Sequence, residues 1–188
     1  MMMHKIVRFV SGTPQFRINE SFDERTPMYL VYSQVNLSED LTGIRSDGND
    51  NKMIRTWDEV NTLMASDVLF SLISGEASIV REEHEGYLYT QNYVKLVPGE
   101  DIDPQYLVYL LNENKAVRKQ FARGMQGSQV LKYTVKQVKE LEILAFPSLD
   151  RQKIIGDIYF KQLRLAAIKE RAIRFEKAIT LQKLEEAT

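Results

Sequence analysis

The sequence contains no cysteine and only two histidines. Disulfides, thiolate zinc sites and cysteine nucleophiles are thereby excluded. His4 and His84 have no second histidine at metal-ligand spacing and no serine context for a nucleophilic triad. Glu82-Glu83-His84-Glu85 reads either as a metal-binding cluster or as a charged hairpin turn between strands, and the turn is the ordinary reading. No phosphate-cradling or methyl-donor-binding glycine loop is present, so nucleotide hydrolysis and methyl transfer are not expected of the chain itself. No apolar run approaches the roughly 20 residues of a membrane span, and Met1 to Val10 is too short and too mixed for a signal segment. A cytoplasmic protein with no membrane partner is expected. A large net charge is missing too: the formal value is −1, with 9 Lys/Arg and 5 Asp/Glu in residues 151–188 against 16 and 21 in residues 1–150. This balance argues against a strong nonspecific polyanion binder and leaves room for a local basic surface.

What is present is a mixed pattern. The 188 residues suffice for one domain with a real core plus an extension. Strands are expected at Ile6 to Val10, Met28 to Tyr32, Val68 to Ile73, Ala77 to Val80 and Tyr87 to Leu96, which are rich in β-branched and aromatic residues. The polar stretch Asn36 to Asn51 reads as a loop too hydrophilic to join a core, either a recognition loop or a passive excursion. Thr56-Trp57-Asp58-Glu59 has the form of a capping box and predicts a short helix through Met64. Asp103-Pro104 predicts a second helix with stripe Tyr106, Leu107, Leu110 and Leu111, and Thr134 to Gln137 is another capping box. Leu141 to Phe146 reads as a last strand before Pro147, and Ser148 or Asp150 can cap a helix starting there.

From Leu149 to Glu186 the pattern is unbroken helix, more than about 50 Å long. Its apolar positions Ile154, Ile158, Leu165, Ile168, Ala172, Phe175 and Ile179 recur at steps of three, four and seven, as in a coiled coil, with breaks at Lys161 and Gln182. No second helix of comparable length precedes it. The stripe is expected to be buried against the same helix of a second copy, in a twofold homodimer; the competing reading folds the helix back over its own domain.

Several segments resemble, in order, the DNA-specificity subunits of type I restriction-modification enzymes. They are Val10-Ser11-Gly12-Thr13-Pro14, Asp67-Val68-Leu69-Phe70-Ser71 with Gly75, Asn92 to Pro98, Asp103 to Leu111, Gln126-Gly127-Ser128, and Leu141 to Ile154 with Pro147 and Gln152. Single pieces are weakly specific, whereas their succession ahead of a long helix is not. The opening glycines are reduced to Gly12, the usual glycine before the strand is Ser66, and Asp150-Arg151 replaces frequent acids. Family members usually carry two recognition domains and two spacer helices; this chain has one of each and resembles a half-subunit.

The resemblance implies an α+β fold: one mixed α/β target recognition domain over residues 1–147 and a long coiled-coil-forming spacer and dimerisation helix over residues 148–188. It implies a non-catalytic specificity subunit that reads double-stranded DNA and assembles with methyltransferase and restriction subunits. Those partners would carry S-adenosylmethionine, ATP and Mg, and the chain itself no cofactor and no metal. Two copies paired antiparallel would read inverted half-sites, and helix length would set the spacing between them.

Base reading needs Arg or Lys against guanine, or Asn and Gln against adenine. Arg45, Asn49, Asn51, Lys52 and Arg55 in and after the polar stretch, Arg81 after a strand, and Arg123, Gln126, Ser128, Gln129 and Lys132 around the glycine-serine turn are the DNA-binding candidates. Gly124 and Gly127 would let backbone approach phosphate. Arg118, Lys119, Arg123 and Lys132 add a local cluster without acids, while Asp47, Asp50, Glu82, Glu83, Glu85, Glu100, Asp101 and Asp103 are expected to face away from DNA. An interaction module that uses the helix without reading DNA is the alternative function.

Overall fold

The computed structural model of the chain describes residues 1–48, 51–124 and 132–187. Strands β1 (Val7–Ser11) and β2 (Met28–Leu30) precede helix α1 (Gln34–Thr42), strands β3 (Met53–Arg55), β4 (Val68–Ser71), β5 (Ala77–Ile79) and β6 (Tyr93–Pro98) follow it, and helices α2 (Pro104–Glu113), α3 (Lys115–Gly124), α4 (Val135–Lys139) and α5 (Leu149–Glu186) end the chain. Four strands form an antiparallel sheet in the order β1-β6-β4-β5, and β2 and β3 form a separate antiparallel ribbon. The fold is therefore mixed α and β with a long C-terminal helix, as the pattern implies.

β4 is buried along its whole length, which its continuous apolar run requires of a strand covered on both faces. Alternation sends Val68 and Phe70 to one side, with Val94 and Leu96 of β6, against Leu107, Leu110 and Leu111 of α2 and Phe121 of α3. Phe70 stacks on Phe121 with ring centroids 5.7 Å apart. Leu69 faces the other way, into a smaller core with Tyr32, Leu37, Leu63, Val80, Tyr89 and Tyr93.

Two expected elements differ. The polar stretch is not a loop at its start: Ser33 caps α1, its hydroxyl accepting from the Asn36 N–H while Asn36 Oδ1 accepts from the Ser33 N–H at 2.9 Å. Asn36, Glu39 and Asp40 are buried because each finds a polar partner, so hydrophilicity did not keep the segment out of the core. The helix expected at Thr56 to Met64 is absent. The Thr56 hydroxyl accepts instead from the Asp58 N–H two residues on, at 3.0 Å, and the Asp58 carboxylate is engaged by the Asn19 N–H at 2.6 Å. A local turn thus competes successfully with the helix.

Smaller differences have similar causes. The strand expected from Tyr87 begins at Tyr93, because a turn closes with Tyr93 N–H donating to the Thr90 carbonyl at 2.9 Å. Leu141 to Phe146 is not a strand but a single bridge, Glu142 to Met2. Ser148 stands at the N-cap of α5 without a side-chain bond. Glu82 to His84 is a 3-10 turn that buries His84, rather than a solvated hairpin tip. The capping residues Asp103 and Thr134 act as expected.

α5 packs its first half on α2 and α1. The approach is close at Gly156, where a Cβ would lie 2.5 Å from Gln105 Cβ and 2.8 Å from the Tyr106 nitrogen. Gln152, 1 % exposed, locks the joint: its Oε1 accepts from the Asp103 N–H at 2.9 Å, and its Nε2 donates to the carbonyls of Asp101 at 3.1 Å and Pro147 at 3.0 Å. Beyond Arg171 every described residue of the helix is exposed.

Candidate nucleic-acid interface

The β2–β3 ribbon pairs Met28 with Arg55 and Leu30 with Met53, so these four share one face, while Ile54 is buried on the other. Met28 and Met53 are exposed, and Phe22 and Trp57 stand exposed on the flanking segments. A two-stranded ribbon is one of the few elements that fit a DNA major groove. Its cations are partly engaged. Arg55 Nη1 donates to the carbonyls of Glu24 at 2.9 Å and Thr26 at 3.3 Å, and Lys52 Nζ lies 3.1 Å from Glu20 Oε1. Both tie the segment carrying Phe22 to the ribbon.

Arg45 and Arg81 lie elsewhere, near the end of α1. Gly43 closes that helix with φ 70°, and a Cβ on it would lie 3.0 Å from Arg81 Nη1 and 3.6 Å from Arg164 Nη1. Arg45 lines a groove of about 370 Å³ between the α1 end and α5, together with Arg171 and Arg174. It also borders a cavity of about 200 Å³ with Asn36, Glu39, Asn51 and His84. Asn51 Oδ1 is buried without a hydrogen-bond partner among the described residues. Two of the acids expected to face away stand among these arginines. Asp47 Oδ1 is 3.4 Å from Arg171 Nη2, and Glu83 Oε2 is 3.8 Å from Arg81 Nε. Its own backbone N–H first, then the Arg81 and Arg45 charges, hold the Glu83 carboxyl below the usual range.

Arg123 and Lys132 are exposed at the two edges of segment 125–131. The flanks are tied together: Gln137 Nε2 donates to the Gly124 carbonyl at 3.0 Å, and the Tyr133 N–H donates to the Leu72 carbonyl at 3.0 Å. Arg118 turns inward, donating to the Gly75 carbonyl at 2.8 Å, and leaves the cluster expected around it. Asn49, Gln126, Gly127, Ser128 and Gln129 lie outside the described residues. The candidates thus divide into three regions: Arg45, Asn51 and Arg81; Lys52 and Arg55; Arg123 and Lys132.

Sequence reasoning missed a buried polar network behind Arg45. His84 Nδ1 lies 2.7 Å from Asp40 Oδ1 and its Nε2 3.1 Å from Glu39 Oε2, while Asp40 Oδ2 accepts from the Tyr32 hydroxyl at 2.6 Å. Burial pulls the His84 pKa down, but the Asp40 hydrogen bond and the Asp40 and Glu39 charges outweigh it, and the net direction is up. Burial, then Asp40, raises the Tyr32 phenol. Nothing in the local sequence signals this, because the partners are 44 residues apart. Among the described residues no His, Asp and Glu group is arranged to hold a metal ion, and no helix is long and apolar enough to cross a membrane.

α5 presents two apolar sides. At about 100° per residue, Ile155, Gly156, Tyr159, Phe160, Leu163 and Ala167 form the side packed on the body, and the stripe from Ile154 to Ile179 lies about 180° away. Ile154, Ile158, Leu165, Ile168, Ala172, Phe175 and Ile179 are all exposed.

No protein-family model matches the sequence, and no curated protein matches it. Solved structures do. The HsdS subunit from Thermoanaerobacter tengcongensis matches over 100 % of this chain and 42 % of its own, at 14 % identity and a TM-score of 0.60. A chain from a structure on complex assembly and conformational transition of the type I restriction-modification system matches over 100 % and 43 %, at 16 % identity and 0.62. The type I restriction-modification S subunit from M. genitalium matches over 97 % and 42 %, at 15 % identity and 0.50. The fold of this chain is that of a type I restriction-modification specificity subunit, taken over about two fifths of such a subunit's length.

Proposed function

We propose that the chain is a non-catalytic DNA-specificity subunit that reads one half of a bipartite, interrupted site and directs partner methyltransferase and endonuclease subunits to it. Residues 1–147 serve as the recognition domain and residues 148–188 as spacer and dimerisation helix. Two copies pair antiparallel through the α5 stripe, which brings two recognition domains together on one helix pair. Cofactors reside on the partners, and the assembly works in the cytoplasm. A symmetric pair reads an inverted repeat, because protein twofold symmetry is mirrored in the site.

The observation that carries this reading is the open stripe: on a helix belonging to a specificity-subunit fold, seven apolar positions face directly away from the body that the helix already covers. A solvated apolar row of that length calls for a partner. The test is selection of bound DNA from a randomised pool by the chain co-expressed with its neighbouring methyltransferase. An interrupted inverted repeat is the expected result. A noninverted bipartite site would reject the homodimer, and a complex that enriches nothing would reject DNA reading in favour of an interaction module. Insertion of four residues into α5 beyond Arg171 should change the spacer and leave the half-site sequence alone.

A further inference from the structure

We propose that an arginine flank on α5, continued by the end of α1, is a phosphate-backbone seat for the nonspecific DNA between the two half-sites. This rests on the DNA-reading function proposed above. Arg164, Arg171 and Arg174 lie on one flank of α5, roughly a quarter turn from both the packed side and the open stripe, so pairing through the stripe leaves them accessible. From Arg164 to Arg174 the flank runs about 15 Å along the helix. Arg45 lines the same groove, and Arg81 approaches Arg164 across Gly43.

The side chains are not consumed by structure. Arg164 and Arg174 make no hydrogen bond or ion pair with any described residue. Arg171 lies 5.3 Å over the Phe175 ring and meets Asp47 at 3.4 Å, but Asp47 is 83 % exposed, and a solvated pair of that kind contributes little and exchanges readily for a phosphate oxygen. The groove itself is lined by three arginines, Arg45, Arg171 and Arg174, against two acids, Asp47 and Glu170, on a chain whose net charge is −1. Guanidinium is the group best matched to phosphate, through its planar donor fork. Among the described residues the groove holds no asparagine or glutamine for adenine edges, and it lies against the spacer helix, where the proposed site has no bases to be read, so its arginines fit phosphate backbone. Two copies would lay two such flanks along one helix pair, adding affinity where no bases are read.

The test measures binding of a random-sequence duplex as a function of salt, alongside selection from a randomised pool, with the chain in its methyltransferase complex. In R164Q/R171Q/R174Q the slope of log affinity against log salt should fall by roughly 0.9 per phosphate contact removed, about 2.7 for three, with the selected sequence unchanged. R164K/R171K/R174K, which keeps the charge, should retain most of the slope. K169Q/K177Q/K183Q, with the same change in net charge on other faces, should leave it in place. An unmoved slope in the glutamine variant, or an equal fall in the lysine-to-glutamine control, overturns the seat. If the wild-type complex enriches no sequence while the arginine variant still flattens the slope, the seat stands and the specificity reading fails.

Discussion

His84 Nδ1 and Asp40 Oδ1 lie 2.7 Å apart across 44 residues of sequence, joining the turn after β5 to the last turn of α1. On its other nitrogen the ring meets Glu39 Oε2 at 3.1 Å and Asn36 Nδ2 at 3.2 Å. A protonated ring donates to both carboxylates; a neutral one can accept from Asn36 but leaves Glu39 facing a lone pair. Burial opposes the charged form, yet Asp40 and Glu39 prevail and raise the folded-state pKa. The ring's stabilising contribution is therefore complete below the unfolded value of about 6.5 and is lost as pH rises through the folded value. His84→Gln should cost about 1–3 kcal/mol near pH 5.5 and progressively less toward alkaline pH. Urea denaturation of both proteins across that range reads the gap, and a pH-independent gap would contradict the assignment.

Gln152 holds α5 to the body with three buried hydrogen bonds, so truncation leaves an N–H and two carbonyls without partners. Gln152→Ala should lose about 2–4 kcal/mol. Gln152→Glu should be comparably damaging despite its shape, because a carboxylate cannot donate to the Asp101 and Pro147 carbonyls. Chemical denaturation measures both; a glutamate variant as stable as wild type would show that donation is unimportant.

Ser66 is the one described non-glycine residue with positive φ, at 72°, immediately before β4. Its N–H donates to the Val80 carbonyl at 2.8 Å, which fixes the turn in that conformation. A Cβ in the left-handed region costs about 1–2 kcal/mol, partly offset by the extra chain entropy a glycine loses. Ser66→Gly should therefore raise stability by about 0.5–1 kcal/mol. The midpoint of urea unfolding should rise with an unchanged slope, and Ser66→Val should lower it.

The same residue shows what the sequence makes legible. Ser66 stands where the resembling family carries glycine, and the structure supplies the reason in its backbone. α2, α4 and α5 were readable because cap and stripe are local signals. α1 was not, since its buried Asn36, Glu39 and Asp40 become acceptable only through Tyr32, after the end of β2, and His84, beyond β5. Thr56 misled for the converse reason: a capping box and a two-residue turn share their first residue, and Asn19, distant in sequence, decides between them by engaging Asp58. At the candidate interface, residue type could nominate Arg45, Arg55 and Arg81 but not reveal that Arg55 binds two carbonyls or that Arg81 and Arg164 both reach Gly43.

In the proposed dimer the stripe on α5 carries the assembly, and it can be broken without touching the side that packs on the body. Leu165 and Ile168 are 43 % and 46 % exposed, and neither belongs to the core or to the partly buried residues packed against it. Aspartate at both positions should leave the fold intact, because solvent already reaches them. In a helix pair the same positions meet apolar neighbours, where an unpaired buried charge is strongly unfavourable. Sedimentation equilibrium should give a dimer for the wild-type chain and a monomer for L165D/I168D, with far-UV circular dichroism nearly unchanged. Bound-DNA selection with the monomeric variant should then lose the inverted repeat, since one recognition domain reads one half-site. A variant that remains dimeric would place the contact elsewhere on the chain and remove the helix as the ruler between half-sites.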